Sequence, residues 1–220
     1  MGEIARAPVA PRRLHGWPLL LLAIGALIVF ATDAHAQQLE RISAAGERAI
    51  LRPPGLQMTG ARHPRVTIVE YFDYNCPFCR RMVPTLAKVL AEDRTVAVVY
   101  KDWPVLGKAS VFAAVCALAA AYQGKYLAAH AALLDGPRLT GDAQIELLLQ
   151  RAGIDVVRLR ADLRAHAADI AALLERNDAE ARALELRGTP GILVGRTLVP
   201  GVVGADDLQR LVAESRGKAR

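Results

Sequence analysis

The chain has 220 residues, 53% of them hydrophobic, enough for one domain of ordinary size with a full core plus a removable segment. Its formal net charge is only +6, and Arg alternates with Glu and Asp instead of forming a basic run. With aromatic residues at 5% and no stacking series among them, the composition does not argue for a nucleic-acid-binding role.

The first segment has the form of an export signal. Arg6, Arg12 and Arg13 precede the apolar run Leu19–Ala31, 13 residues long, and Ala34-His35-Ala36 supplies an A-x-A cleavage site before Gln37. A spanning helix needs roughly 20 apolar residues, so residues 1–36 are predicted to be a secretory signal peptide cut after Ala36, with an uncleaved anchor as the alternative. Removing them leaves 25 − 20 = +5. An exported chain meets an oxidising compartment, where cysteine pairs carry chemistry.

Gln38–Leu51 has helical spacing (Leu39, Ile42, Ala45, Ala49, Ile50) and ends at Arg52-Pro53-Pro54-Gly55. Residues 37–64 therefore read as a helical leader, closed by the turn Gly60–Pro64, with His63 in an exposed loop. The apolar, β-type run Val66–Phe72 follows and carries one carboxyl, Glu70. Buried charge is costly, so an acid in this strand is unusual. A short polar turn then leads to Cys76-Pro77-Phe78-Cys79 and, at once, to a helical pattern running to Ala91 with Met82, Leu86, Val89 and Leu90 inward and Pro84 as a kink. The helix thus begins at the first cysteine. Its unpaired N–H groups and partial positive charge favour a thiolate, so Cys76 is predicted to have a lowered pKa and to be the attacking sulfur. Cys79, one turn on, is close enough to close a disulfide with it. Arg80 and Arg81 either hold negative charge near Cys76 or face solvent.

Thr95–Tyr100 reads as a second strand running into the loop Lys101-Asp102-Trp103-Pro104-Val105-Leu106-Gly107. From Lys108 to Arg187 the pattern is helical, with breaks at Gln123-Gly124, Asp135-Gly136-Pro137, Gly153 and near His166, giving four or five helices. Thr140 or Gly141-Asp142 caps one of them. The odd cysteine, Cys116, lies on an Ala-rich stretch and reads as a small buried apolar residue or, alternatively, as a resolving thiol. His130 and His166 read as packing residues, not metal ligands. Then come Arg187-Gly188-Thr189-Pro190-Gly191, the short strands Gly191–Gly195 and Thr197–Val199 around Gly195-Arg196, and a terminal helix, Asp206–Ser215.

A CxxC pair after a strand, with Gly-Thr-Pro before a later strand, resembles the thioredoxin fold. The blocks FDYNCPFC, KDWPVLG and GKYLAAHAALL narrow the likeness to the DsbA-like periplasmic thiol-disulfide oxidoreductases, particularly their ScsC-like branch, over roughly Arg65 to Val212. The resemblance implies an α/β chain: a thioredoxin fold with an inserted all-helical subdomain, divided as core 65–107, helical insertion 108–187 and core 188–220. It also implies a cis Thr189–Pro190 bond beside the cysteines, Thr189 backbone groups that pair with an extended substrate segment, and a Glu70 beneath the pair that moves protons, with Lys101 set against it. The catalytic set is then Cys76, Cys79, Thr189, Pro190 and Glu70, with no cofactor and no metal.

Substrates would be thiol- or disulfide-containing exported proteins in the periplasm. The membrane redox partner would be DsbB-like for an oxidase or DsbD-like for an isomerase or reductase. The leader either mediates homo-oligomerisation, as a segment in this position can in ScsC-like relatives, or packs on its own domain. A stabilised Cys76 thiolate favours a thiol oxidase; isomerase or reductase chemistry is the alternative, and Cu(I) or Zn binding by the dithiol is a reading from another class.

Overall fold

Pairing among the strands decides the architecture. In the computed structural model, which describes residues 42–51, 55 and 57–217, five strands form one mixed sheet. They are β1 (Gln57–Gly60), β2 (Val66–Phe72), β3 (Val96–Asp102), β4 (Gly191–Val194) and β5 (Thr197–Pro200), in the order β1-β3-β2-β4-β5. The signal segment 1–36 with its cleavage site, the first leader residues, and Arg52, Pro53, Pro54 and Leu56 lie outside the described residues. No helix among the described residues is long and apolar enough to cross a membrane.

β2 is central, parallel to β3 and antiparallel to β4. A parallel pair needs a crossover, and α2 (Pro77–Glu92) supplies it; the leader helix α1 (Ala44–Leu51) precedes the sheet. Both faces of β2 are covered, which is why its sequence is a near-continuous apolar run and not an alternating one. On one face Ile68, Val98 and Ile192 pack against Met82, Leu86 and Val89 of α2 and against Leu208 and Leu211 of the terminal helix. On the other face Val69, Tyr71, Val99 and Leu193 pack against Ile50 of α1 and Ala181.

Between β3 and β4 run five helices, α3 (Lys108–Ala120), α4 (Tyr126–Asp135), α5 (Asp142–Arg151), α6 (Val156–Ala165) and α7 (Ala167–Ala183), with a 3-10 turn at Ala121–Gln123; α8 (Ala205–Gly217) closes the chain. The breaks fall where glycine, proline and His166 punctuate the pattern. α3 is apolar all round and accordingly buried: Ala113, Ala114, Cys116, Ala117, Ala119 and Ala120 are all essentially inaccessible. Cys116 is thus a core residue, its thiol pushed up to about 12 by burial. The core of the insertion, with Leu133, Ile145, Leu149 and Leu159, is continuous with Phe72, Tyr74, Cys76 and Cys79.

Two features differ from the sequence expectation, and a third follows one of its alternatives. β1 had no periodic signal; it forms because β3 offers a free edge, with Gln57 opposite Tyr100 and Gly60 opposite Ala97. Gly60 has φ +96, and a Cβ there would lie 2.6 Å from the Val96 carbonyl oxygen, so the close approach requires glycine. β3 runs two residues past the predicted end, through Lys101 and Asp102, which pair in register with Tyr71 and Phe72. The described part of the leader packs on its own sheet: Ile50 is buried, and the Ile42 N–H donates to the Arg196 carbonyl at 2.9 Å.

Candidate active site

The C-terminal end of β2 fixes the site. β2 ends at Phe72, and the turn Asp73–Cys76 carries the chain into α2, with Cys76 as N-cap and Pro77 in the first helical position. The antiparallel register sets Gly191 opposite Tyr71. The residues just before β4, Thr189 and Pro190, therefore arrive beside the same turn, and their peptide bond is cis.

All three cysteines are free thiols. Cys76 is 3% exposed and Cys79 fully covered. As a thiol, Cys76 Sγ donates to the Thr189 carbonyl at 3.2 Å. The Cys76 pKa is lowered to about 5. The main cause is the hydrogen bond from the Cys79 thiol; the Thr189 hydroxyl and the N–H groups of Cys79 and Phe78 add to it, against the opposing effect of burial. The Thr189 Oγ1 is buried and has no hydrogen-bond partner, so its proton is available to a thiolate at Cys76. Cys79 is shifted the other way, far up, first because its thiol is engaged by Cys76, then by burial and by the charge of Glu70. One sulfur is held ionised and the other protonated.

Glu70, on β2, interacts electrostatically with both sulfurs. It is 2% exposed, and its Oε1 has no hydrogen-bond partner. Burial, followed by the negative charge on Cys76, pushes its pKa up to about 8. The carboxyl faces a cleft of about 270 Å³ between α2 and α4, lined also by Tyr100, Leu90, Leu127 and His130. Lys101 is not its partner. Successive strand residues point to opposite faces; Tyr100 is the residue opposite Glu70 in register, and Lys101 turns to the other face. There its Nζ meets Glu180 Oε2 at 2.8 Å and the Ile50 carbonyl at 3.0 Å, and Glu180 also accepts from the Tyr71 hydroxyl.

Arg81 faces solvent, one of the two expected placements, and Arg80 takes neither. Arg80 does not hold charge near Cys76. Its guanidinium is turned into the insertion, donating to the carbonyls of Tyr74, Leu133, Leu134, Gly136 and Pro137. Arg81 lies over the Phe78 ring at 4.5 Å. His130 is buried in an aromatic cage formed by Phe72, Tyr74, Tyr100 and Tyr126, and burial lowers its pKa to about 3. Asp73 was not singled out from the sequence, yet it is 1% exposed and its carboxylate takes hydrogen bonds from four groups around the site. Its place immediately before a turn residue was the only signal, and Asp before a turn is common. Among the described residues no group of three or more His, Cys, Asp or Glu is placed to hold a metal ion.

Residues 67–214 match the family of the DSBA-like thioredoxin domain. Among solved structures, the chain is similar to a thioredoxin-like oxidoreductase from Silicibacter pomeroyi DSS-3, at 35% identity and a TM-score of 0.74, over 80% of this chain and 99% of that one. It is similar to a periplasmic thioredoxin-like protein from Salmonella enterica serovar Typhimurium, at 30% identity and a TM-score of 0.69, over 81% and 99% of the two chains. It also resembles the catalytic domain of Proteus mirabilis ScsC, at 27% identity and a TM-score of 0.70, over 79% and 96%. A curated relative, the Na(+)/H(+) antiporter NhaA 3 of Salinispora tropica, is 28% identical over 165 residues; the match takes in 73% of this chain, which spans about a quarter of that protein's length (25%).

Proposed function

The chain belongs to the DSBA-like thioredoxin family, a family of thiol-disulfide oxidoreductases, and on that footing we propose that it oxidises thiols of exported proteins in the periplasm. The observation that carries the direction of transfer is the asymmetry of the two sulfurs, with Cys76 lowered to about 5 and Cys79 raised. A stabilised thiolate favours the reduced enzyme, so its disulfide is a good oxidant.

In the proposed reaction a substrate thiolate attacks Cys76 of the Cys76–Cys79 disulfide. The S–S bond breaks, Cys79 leaves as a thiolate, and the mixed disulfide joins substrate to Cys76. Glu70, neutral below about pH 8, gives its proton to Cys79. A second substrate thiolate then attacks the substrate sulfur of the mixed disulfide, and Cys76 leaves as the stable thiolate. The substrate has lost two electrons and the cysteine pair has gained them. Thr189 pairs through its backbone with the extended substrate, and Pro190, having no N–H, places no backbone donor against the sulfurs. Re-oxidation sends the two electrons to a DsbB-like membrane partner; no bound cofactor enters these steps. The working protein is the chain from Gln37, after removal of 1–36, with the core divided as 65–107 and 188–220 around the insertion 108–187.

The reduction potential of the Cys76–Cys79 pair, from equilibration with glutathione buffers, tests the direction. The expected value lies well above thioredoxin's, about −270 mV. A value as low as thioredoxin's would replace the oxidase by a reductase working with a DsbD-like partner.

A further inference from the structure

Asp73 joins the cysteine turn to a segment more than thirty residues away. Its Oδ1 accepts from the Asn75 N–H and the Ser110 hydroxyl, both at 2.7 Å. Its Oδ2 accepts from the N–H groups of Val105 at 2.8 Å and Leu106 at 2.9 Å. A carboxylate has about four acceptor positions, and four donors fill them, which offsets the cost of burying the charge. The backbone of the same residue serves the sulfurs. Its carbonyl accepts from the Cys76 N–H at 3.0 Å, and its backbone favours the ionised form of Cys79, against the larger effects that raise that thiol. Val105 and Leu106 meanwhile present exposed apolar side chains, 44% and 50% accessible, from the turn that this carboxylate holds.

We propose that Asp73 is a positioning residue for disulfide exchange: by pinning the Cys76 turn to the Val105–Ser110 segment, it keeps the Cys79 thiol within donor distance of the Cys76 sulfur. The inference rests on the roles given above to Cys76 and Cys79. It also means that the apolar Val105–Leu106 turn and the sulfur pair share one rigid frame. When the carboxylate is lost, the turn moves, Cys79 drifts from Cys76, and the thiolate loses its strongest donor.

The test uses the reduced full-length protein and two variants. Asp73→Asn replaces one acceptor oxygen by an amide that confronts the existing donors; Ser110→Ala removes a single bond at a distance from the sulfurs. The readouts are the titration midpoint of the Cys76 thiolate by ultraviolet absorbance, the reduction potential and the melting temperature. The midpoint should rise by about one pH unit in Asp73→Asn, the equivalent of one hydrogen bond, and by less in Ser110→Ala, with the disulfide becoming less oxidising in that order. Variants that melt earlier but keep the wild-type midpoint and potential would reduce Asp73 to a structural residue. If Asp73→Asn does not fold, Ser110→Ala decides on the same criterion. A wild-type Cys76 that titrates like a free thiol would instead overturn the reading of the site itself.

Discussion

Glu70 is a carboxyl buried without a cation against it. Tyr100 occupies the facing position, and Lys101, its neighbour in sequence, pairs with Glu180 on the opposite side of the sheet. The folded protein therefore holds the Glu70 proton far more tightly than the unfolded chain, with a pKa near 8 against 4.5. This group's contribution to stability is fully present below about pH 4.5 and is lost as pH rises towards 8. Glu70→Gln should consequently be more stable than wild type by a margin that grows between those values, up to a few kcal/mol. The pH profile of exchange should flatten near 8. Denaturation curves of wild type and variant that stay parallel from pH 4.5 to 9, with an unaltered exchange profile, would contradict both the burial argument and the proton-transfer role. That Glu70 was unusual could be read from an acid inside VTIVEYF. Its lack of a partner could not, because it depends on which of two adjacent β3 side chains faces it, and that register exists only once β2 and β3 are paired.

Among the elements, α2 shows what sequence resolves well. A proline at the first turn, two cysteines one turn apart and an inward stripe of Met82, Leu86 and Val89 are local signals, and the helix follows them. The hairpin of β4 and β5 around Gly195 was legible for the same reason. β1 was not, since four residues of mixed polarity become a strand only beside the β3 edge. Arg80 was ambiguous because its role is set by α4 and the loop after it, more than fifty residues on. Its guanidinium donates to four carbonyls that end α4 and line the turn beyond it, and to the Tyr74 carbonyl in the cysteine turn, which satisfies acceptors that α4 leaves open. Arg80→Met should lower the unfolding free energy by about 2–3 kcal/mol, as the loss of several charge-assisted bonds implies, and leave the Cys76 midpoint close to wild type. A midpoint that rose as much as in Asp73→Asn would return Arg80 to the role of holding charge near the sulfur.

At the scale of the whole molecule, the pair sits where three parts of the chain meet. The start of α2 supplies Cys76 and its N–H donors, the residues before β4 supply Thr189, and the insertion closes a core that is continuous with both cysteines. On the far face, Lys101–Glu180, Trp103–Asp178 and Asn177–Asp102 bind α7 to β3 and its C-terminal end, so the insertion is held to the sheet on both sides. The low pKa of Cys76 thus has two sources: Cys79 and the N–H groups of Cys79 and Phe78 belong to the CPFC tetrapeptide, and the fold adds Thr189 from the residues before β4. Because the folded value lies below the unfolded one, the ionised sulfur stabilises the reduced protein fully above about pH 9, and that contribution is lost as pH falls through about 5. Cys116 is fully buried, so native protein is expected not to label there.

The most direct test is the pH dependence of Cys76 alkylation in the reduced protein, folded and in denaturant, followed by mass spectrometry at that residue. The expected rate is half-maximal near pH 5 in the folded protein and at about 8.5 when unfolded. A folded-state midpoint no lower than the unfolded one would contradict it.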